Sequence, residues 1–323
     1  MNKPTRFLYL LVILSLLALP LSACKSKTNN NNSSQLNGTI TVSGAFALYP
    51  MMQRWSEEFT KINPNVKFDI SAGGAGKGMT DTLSGAVDIG MVSREVTADE
   101  ISKGAFAIPV NKDAVFPTVN SKNPVLADLL AKGVTEDIFY GIYISGTITT
   151  WGQVVGKPEI TDQIHVYTRS DSSGAADAWA KFLGNKKQEN LLGIGVSGDP
   201  GLLDAVVKDP LGIGYNNLNY AFDPTSGKPV DSTTIVPIDK DKNGTADVDE
   251  VVETKAKAIE VVGNGKFPSP PARPLYLVTK GKPSGVTLAF IQWVLTDGQK
   301  YLNEVGYVAL PPDVITAAIN KLR

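Results

Sequence analysis

The sequence predicts an α/β protein that has parallel-rich sheets and is divided into two lobes. First, strand-like runs such as "GTITVSG", "VKFDIS" and "VDIGMVS" alternate with the helical segments "PMMQRWSEEFTKINP" and "GKGMTDTLSGAV". This β-α-β-α-β order is typical of a largely parallel sheet. Second, the alternation resumes in the middle of the chain. Third, a length of 323 residues lies near the upper limit for a single hydrophobic core, which favours two lobes.

Each element is predicted from its own pattern. β-branched residues in "GTITVSG" indicate a strand, and apolar residues at helical spacing between two prolines indicate a helix over 50–64. The extended runs "AFAIPVNKDAVFPTVN" and "RPLYLVTKG" are expected to leave and re-enter the first lobe. "IHVYTRS" is a strand that leads into the helix "AADAWAKFLG", and "GVTLAFIQWVLTDGQKYLNEVG" is a long amphipathic helical region.

The first residues indicate an export signal rather than part of the fold. Lys3 and Arg6 precede the apolar run "FLYLLVILSLLALPL", which is too short and too early for a membrane-spanning helix. The next residues, "LSAC", resemble a bacterial lipobox, which predicts that Cys24 is lipidated. The segment "KSKTNNNNSSQLNG" is almost free of apolar residues and is interpreted as a flexible tether. We therefore expect a cell-envelope protein, extracytoplasmic and lipid-anchored to a bacterial membrane.

Composition and side-chain inventory exclude several classes of function. With a net charge of −1, the chain lacks the basic surplus of a nucleic-acid-binding protein. Cys24 is the only cysteine, so an intramolecular disulfide is impossible. His165 is the only histidine, and we interpret it as a structural residue within a strand. Because no general base or nucleophile accompanies the polar junctions described next, the sequence predicts binding without catalysis.

The stretch "TRSDSSGAADAW", residues 168–179, is a candidate anion site. Arg169 keeps its charge at any ordinary pH and carries a rigid fork of donors that suits oxyanions. Ser172, Ser173 and Gly174 are residue types that begin a helix, where the first backbone N–H groups are free to bind an anion. Ligands of α/β sheets lie at such strand ends.

Three further strand–helix junctions have related chemistry. "VSGAFALYPMM" offers backbone N–H groups at a helix start, and "SAGGAGKGM" is glycine-rich but fits neither the nucleotide-binding nor the dinucleotide-binding pattern. "DIGMVSRE" ends in Ser93 and Arg94, although Arg94 could instead pair with Glu95 at the surface. Our hypothesis is that the two arginines and several helix N-termini converge on one oxyanion.

The segment "DKDKNGTADVDE" follows the pattern of a calcium-binding loop. Oxygen-bearing side chains stand at the alternate positions that wrap one hard cation, and Gly244 permits the sharp turn. The candidate ligands are Asp239, Asp241, Asn243, Thr245, Asp247 and Glu250. The flanking sequences do not read as two clean helices, and an acidic solvated turn is the alternative. We expect a structural calcium ion and no other cofactor.

Together these motifs resemble the phosphate-binding proteins of ABC phosphate uptake. The similarity runs from about Gly38 to Leu310 and includes "GTITTWGQV", "TRSDSSGAADAWAKFL", "GIGYNNLNYA" and "RPLYLVTKG" in order. The resemblance implies a two-lobed, periplasmic-binding-protein-like type II fold whose hinge strands let the lobes close over phosphate or a related tetrahedral oxyanion. It also implies a monomer, not an enzyme, that delivers the anion to membrane permease subunits. The alternative is a surface sensory or interaction protein that reuses the scaffold with an altered pocket.

The resemblance further implies the anion contacts and the division of the chain. The implied contact residues are Leu48, Tyr49, Gly76, Ser93, Arg94, Arg169, Ser173, Gly174 and Ala175. Three loops lack the hydroxyl groups usual in the family, so the identity of the oxyanion stays open. Together with the export signal, the tether and the calcium-like loop read from the residues, the predicted segments are a lipoprotein signal peptide at 1–23, a tether at 24–37, lobe 1 at 38–110 and 273–323, and lobe 2 at 111–272 with the calcium-loop-like insert at 239–250.

Overall fold

The computed structural model describes residues 36–323, in which strands and helices alternate along most of the chain. The strands are β1 (Gly38–Gly44), β2 (Val66–Ala72), β3 (Ile89–Val92), β4 (Ala105–Asn120), β5 (His165–Arg169), β6 (Ile194–Val196), β7 (Gly212–Asn217), β8 (Thr233–Ile235) and β9 (Ala272–Lys280). The predicted signal peptide, most of the tether and the lipidation residue Cys24 lie outside the described residues.

The helices cover the faces of the sheet. They are α1 (Tyr49–Ile62), α2 (Ala75–Ser84), α3 (Ala98–Ser102), α4 (Leu126–Lys132), α5 (Glu136–Tyr140), α6 (Trp151–Val155), α7 (Gly174–Phe182), α8 (Gly198–Lys208), α9 (Leu218–Ala221), α10 (Lys255–Gly263), α11 (Gly285–Val294), α12 (Leu302–Val305) and α13 (Pro312–Leu322). Short 3₁₀ segments lie at Phe46–Leu48, Gln188–Asn190 and Asp297–Tyr301, and a π-helical turn lies at Gly141–Ser145. No helix within residues 36–323 is long and apolar enough to cross a membrane.

The sheet has the strand order β2-β1-β3-β9-β4-β7-β5-β6, and β8 pairs with β4. β1 runs parallel to β2 and β3, and β5 runs parallel to β6 and β7. The connection between these two parallel groups is antiparallel and runs through β9 and β4. The predicted parallel-rich α/β fold is therefore confirmed, with two parallel groups of strands joined by two antiparallel strands.

β4 and β9 serve both lobes. The first part of β4, from Ala105 to Ala114, pairs with β9, and the part from Val115 to Val119 pairs with β7. An irregularity of register falls at Pro109–Asn111, where proline cannot donate a ladder hydrogen bond. These are the two runs expected from the sequence to pass between the lobes.

The buried apolar side chains form two separate clusters. The first core gathers residues from Ile40 to Val110 and from Leu275 to Leu322, and the second core gathers residues from Ala114 to Ala272 together with Val308. Within the second core, the rings of Trp179 and Tyr215 stack with centroids 5.6 Å apart. A chain with two lobes requires two cores. The residue boundaries given above for the lobes stay a prediction.

The long helical region expected at 285–306 is interrupted in the structure. α11 ends at Val294, and a 3₁₀ segment precedes α12. The carbonyl oxygen of Gly298 accepts a hydrogen bond of 2.9 Å from the Trp55 indole, so this backbone group bonds outside any helical ladder. A tertiary contact of this kind cannot be read from helical periodicity. The predicted helical region is therefore confirmed for most of the segment, and the structure divides it into two helices and a 3₁₀ segment.

Candidate functional site

A small cavity lies where the carboxyl ends of strands from both lobes meet. The space between its lining atoms, including the part open to solvent, amounts to about 140 Å³. The lining residues are Ala45, Phe46, Ala47, Gly74, Ala75, Ser93, Arg169, Ser173, Gly174, Ala175, Asp199 and Asn217. Each of them follows or ends a strand, or begins a helix, so the cavity has the position at which α/β sheets bind their ligands.

Arg169 is the buried cation of this cavity, at the end of β5. Its Nε and Nη2 donate to the two carboxylate oxygens of Asp171 at 2.8 and 2.6 Å, and Nη1 donates to Oδ2 of Asp199 at 2.6 Å. Burial alone would lower the pKa of Arg169, but the attraction of Asp199 and the hydrogen bonds to Asp171 outweigh burial and raise it. The guanidinium is therefore charged and fixed in orientation before any ligand arrives.

Asp199 connects Arg169 to a second buried arginine. Its Oδ1 accepts from the backbone N–H of Asn217 at 3.1 Å and from the Asn217 side-chain amide at 2.8 Å. Arg273 donates to the Asn217 side-chain oxygen, to Oδ2 of Asp113 at 3.2 Å and to the Ser93 carbonyl at 3.2 Å. This polar chain ties β5 and β7 of lobe 2 to the crossing strands β4 and β9 and to the end of β3.

The start of α7 forms one wall of the cavity. Ser173 is its N-cap, and the Ser173 hydroxyl accepts from the backbone N–H groups of Ala175 at 3.2 Å and Ala176 at 3.3 Å. Gly174 lies so close to the opposite lobe that a Cβ there would be 2.2 Å from the Ser93 hydroxyl oxygen. Only glycine permits this approach, which brings the positive end of a helix against the end of β3.

The two lobes are closed against one another in this structure. The backbone N–H of Gly76 donates to the Ser172 carbonyl at 3.0 Å, and the Tyr220 hydroxyl donates to the Phe46 carbonyl at 3.3 Å. The Arg169 guanidinium also lies 5.3 Å from the centre of the Phe46 ring. Groups from both lobes therefore enclose the cavity, and a solute inside it would be largely desolvated.

The structure brings together five of the residues expected at the anion site, namely Ser93, Arg169, Ser173, Gly174 and Ala175. The first loop contributes Ala45, Phe46 and Ala47 to the lining, whereas Leu48 and Tyr49 lie beyond it, and their role as anion contacts stays a prediction. The second loop contributes Gly74 and Ala75. Gly76 lies outside the lining because its N–H group bonds across the cleft to Ser172.

Arg94 also lies outside this cavity, contrary to the prediction. Its Nη1 and Nη2 donate to the two carboxylate oxygens of Glu100 at 3.0 and 2.7 Å. Glu100 is held at the start of α3 by a capping box with Thr97, so this carboxylate is fixed where it can receive the guanidinium. The alternative pairing with the side chain of Glu95 is also not what the structure shows, since Arg94 bonds the Glu95 carbonyl instead.

Several polar residues of the site were missed from the sequence. Asp171 could have been found, because residues two apart in an extended segment lie on one face and the spacing Arg-x-Asp therefore suggests a pair. Asp199, Asn217 and Arg273 carry no local signal, since they come from separate elements that only the tertiary fold brings together. The histidine, His165, lies exposed at the start of β5 with Nδ1 2.7 Å from Oδ2 of Asp209, and it does not line the cavity.

The calcium-like loop is wrapped around its own carboxylates. One carboxylate oxygen from each of Asp239, Asp241 and Glu250 lies within 4.8 Å of the others, and Asp239 and Glu250 are buried. The backbone N–H groups of Asn243 and Gly244 donate to Asp239 at 3.2 and 3.0 Å. In the same loop, the Asn243 side-chain amide donates to the carboxylates of Asp241 at 3.0 Å and Asp247 at 3.2 Å.

Comparison with known proteins places the chain in a family. A profile described as the PBP superfamily domain matches residues 29–298, which is more than half of the sequence. The chain belongs to the PBP superfamily. This PBP-superfamily chain is 27% identical to Protein SphX of Synechococcus elongatus, over 88% of its own length and 81% of that protein. It is 26% identical to the phosphate-binding protein PstS of Bacillus subtilis, over 99% of its own length and 98% of the relative.

A solved structure supports the same fold for the PBP-superfamily chain. The crystal structure of a putative phosphate ABC transporter substrate-binding protein with bound phosphate, from Clostridium perfringens, superposes with a TM-score of 0.69. The two sequences are 24% identical, and the match covers 85% of this chain and all of that structure. The two-lobed, periplasmic-binding-protein-like fold predicted from the sequence is thereby confirmed.

Proposed function

We propose that this PBP-superfamily chain is the solute-binding protein of an ABC importer and that it captures phosphate between its lobes. The observation that carries the proposal is the enclosed cavity in which Arg169 meets the start of α7. Near-complete coverage of the Bacillus subtilis relative, which is named for phosphate binding, supports the same ligand. The alternative of a sensory protein with an altered pocket is not favoured.

The geometry supports binding by closure around a small oxyanion. Arg169 is positioned in advance by Asp171 and Asp199, so binding needs no reorganisation of the cation. Backbone N–H groups near the start of α7 add partial positive charge without adding a titratable group. When the lobes close, water is excluded, and the hydrogen bonds between the anion and these donors become stronger.

Titration calorimetry with phosphate, arsenate, sulfate and molybdate tests the proposal. Phosphate should bind most tightly, and Arg169→Met should weaken its binding by at least about 100-fold, because charge-assisted hydrogen bonds are lost. Arg94→Met is the matched control, since Arg94 pairs with Glu100 and does not line the cavity. The phosphate affinity of this variant should stay within about twofold of the wild type. Equal losses in both variants, or no binding of any of the four anions, would contradict the proposed site.

The same proposal includes the setting in which the protein works. We propose an extracytoplasmic protein that is anchored through a lipid on Cys24, acts as a monomer, delivers its anion to permease subunits and has no catalytic activity. The solved structure from Clostridium perfringens, which is named for phosphate ABC transport, supports the setting, and the lipobox-like "LSAC" supports the anchor. Metabolic labelling with a fatty acid should label the wild-type protein in membranes, and Cys24→Ser should abolish the label.

We also propose that the loop at 239–250 binds calcium as a structural ion. The complete spacing of the sequence motif and the convergence of Asp239, Asp241 and Glu250 support this proposal. Calcium should raise the melting temperature, and Asp239→Asn should remove the increase. Asp204→Asn, which alters an exposed carboxylate on α8, should retain it. An increase in melting temperature that survives in Asp239→Asn would place the calcium effect elsewhere.

A further inference from the structure

A second, larger cavity lies in lobe 2, apart from the cavity that contains Arg169. Its volume is about 420 Å³, which is enough for a small organic molecule. The lining residues are Lys112, Glu136, Phe182, Ile238, Asp239, Lys240, Lys242, Gly265, Lys266, Phe267, Pro268 and Ser269. It shares no lining residue with the cavity between the lobes.

The lining of this cavity contains four lysines and two carboxylates, Glu136 and Asp239. Three of these lysines have acidic partners outside the lining, because Lys240 and Lys266 lie near Asp249 and Lys242 pairs with Asp137. The fourth is Lys112. Of the two carboxylates in the lining, Asp239 already accepts two backbone N–H groups of the calcium-like loop.

Lys112 has no ion-pair partner among residues 36–323. Its half-buried ammonium donates to the neutral Val262 carbonyl at 3.0 Å, and burial lowers the pKa of this amine. Because side chains alternate along β4, Lys112 projects away from the face that holds Asp113 and its partner Arg273. A bound anion would supply the counter-charge that the protein itself does not provide.

The apolar part of the cavity lining consists mainly of two phenylalanines and a proline. The Phe267 ring packs on Phe116 with centroids 4.6 Å apart, and the Phe182 ring packs on Trp179 at 5.3 Å. Both rings are therefore held by the second core, and Pro268 follows Phe267 in the same wall. Rigid aromatic walls beside an uncompensated ammonium suit a ligand that has a flat apolar body and one anionic group.

We propose that this cavity is a second binding site, which takes a small aromatic carboxylate through Lys112 and the walls formed by Phe182 and Phe267. The site is distinct from the proposed phosphate site, because the two cavities share no lining residue. A ligand there would contact Gly265–Ser269, which lead directly into β9.

Calorimetry on the full chain saturated with phosphate tests the proposal with benzoate as the probe. Acetate supplies the charge without the ring, benzyl alcohol supplies the ring without the charge, and each should bind at least about tenfold more weakly than benzoate. Lys112→Met should weaken benzoate binding by about tenfold or more, and Lys208→Met, an exposed lysine on α8, should leave it unchanged. Phosphate affinity should be the same in all these proteins, which separates this site from the proposed function.

Hydrogen–deuterium exchange of the wild-type protein provides a readout that does not depend on any variant. Benzoate should slow exchange at residues 265–269 and 238–242. Absence of benzoate binding, equal benzoate affinity in the Lys112→Met protein, or slowed exchange only around Arg169 would each overturn the proposal.

Discussion

Arg169 and Asp199 form a buried ion pair in which Nη1 and Oδ2 are 2.6 Å apart, at the inner wall of the cavity between the lobes. Both side chains belong to lobe 2, so the pair exists before the lobes meet. Asp171 supplies a second carboxylate to the same guanidinium. The cation is therefore paired by two acids, and the anion affinity of the cavity depends on how strongly these acids offset its charge.

Replacing Asp199 by asparagine should tighten phosphate binding. The substitution removes one negative charge beside Arg169 and keeps the side-chain shape, so the attraction between the cavity and a dianion increases, by about tenfold in affinity. The free energy of unfolding should fall by about 1–3 kcal/mol, because Arg169 and Asn217 lose a charged partner. Calorimetry and urea unfolding measure the two effects. A weaker affinity would mean that Asp199 mainly positions Arg169.

Gly174→Ala should prevent closure without unfolding either lobe. The new Cβ would lie 2.2 Å from the Ser93 hydroxyl oxygen and 2.5 Å from the Ser93 carbonyl oxygen, and this backbone group has little freedom to move. Phosphate affinity should fall by at least about tenfold, a loss that corresponds to roughly 1.4 kcal/mol of impaired closure.

Gly201→Ala is the control for this steric prediction, because a Cβ there would be 3.9 Å from its nearest neighbour. This variant should bind phosphate as the wild type does. Small-angle X-ray scattering with excess phosphate should show a larger radius of gyration for Gly174→Ala alone. Unchanged dimensions and affinity in Gly174→Ala would contradict the closed arrangement.

Tyr220→Phe should weaken phosphate binding by a smaller amount. The Tyr220 hydroxyl donates across the cleft to the Phe46 carbonyl, and a neutral hydrogen bond contributes about 1 kcal/mol, so affinity should fall about fivefold. Tyr301→Phe removes a hydroxyl that bonds Glu58 within lobe 1, and it should not change affinity. Calorimetry on both variants checks the difference, and equal effects would show that closure does not depend on the Tyr220 bond.

Asp113 should make stability depend on pH in the opposite sense to most carboxylates. Burial raises its pKa from 3.8 to about 6, although the neighbouring Arg273 acts to lower it. The folded state therefore binds a proton more readily than the unfolded state, and the stability contributed by this proton is lost as pH rises from about 4 to about 6. The loss is on the order of 3 kcal/mol.

Urea unfolding of the wild type and Asp113→Asn between pH 4 and 7 isolates this effect. The stability of the wild type relative to the variant should decline across that window and stay level above it. Ionised carboxylates with lowered pKa, such as Asp171, affect both proteins equally and cancel in the comparison. A constant difference between the two proteins at every pH would show that Asp113 does not titrate in this range.

The sequence was informative wherever the determining contacts are local. β5 and the start of α7 follow from strand and cap patterns, and they place Arg169 and Ser173 where the structure has them. Arg94 was misplaced because its partner Glu100, six residues later in α3, is fixed by a capping box where it can receive the guanidinium. Asp199 and Arg273 could not be predicted, since their proximity to the cavity depends on the pairing of distant strands.

The division of the apolar core has a consequence for the order in which the protein can fold. The first core combines residues near the start of the domain with residues from Leu275 onward, whereas the second core is essentially complete by Ala272. During synthesis from the N-terminus, lobe 2 can therefore fold while lobe 1 still lacks β9, α11 and α13. The N-terminal part of lobe 1 can complete its core only when the C-terminal part has been made. A chain truncated near residue 280 would therefore contain a folded lobe 2 attached to an incomplete lobe 1.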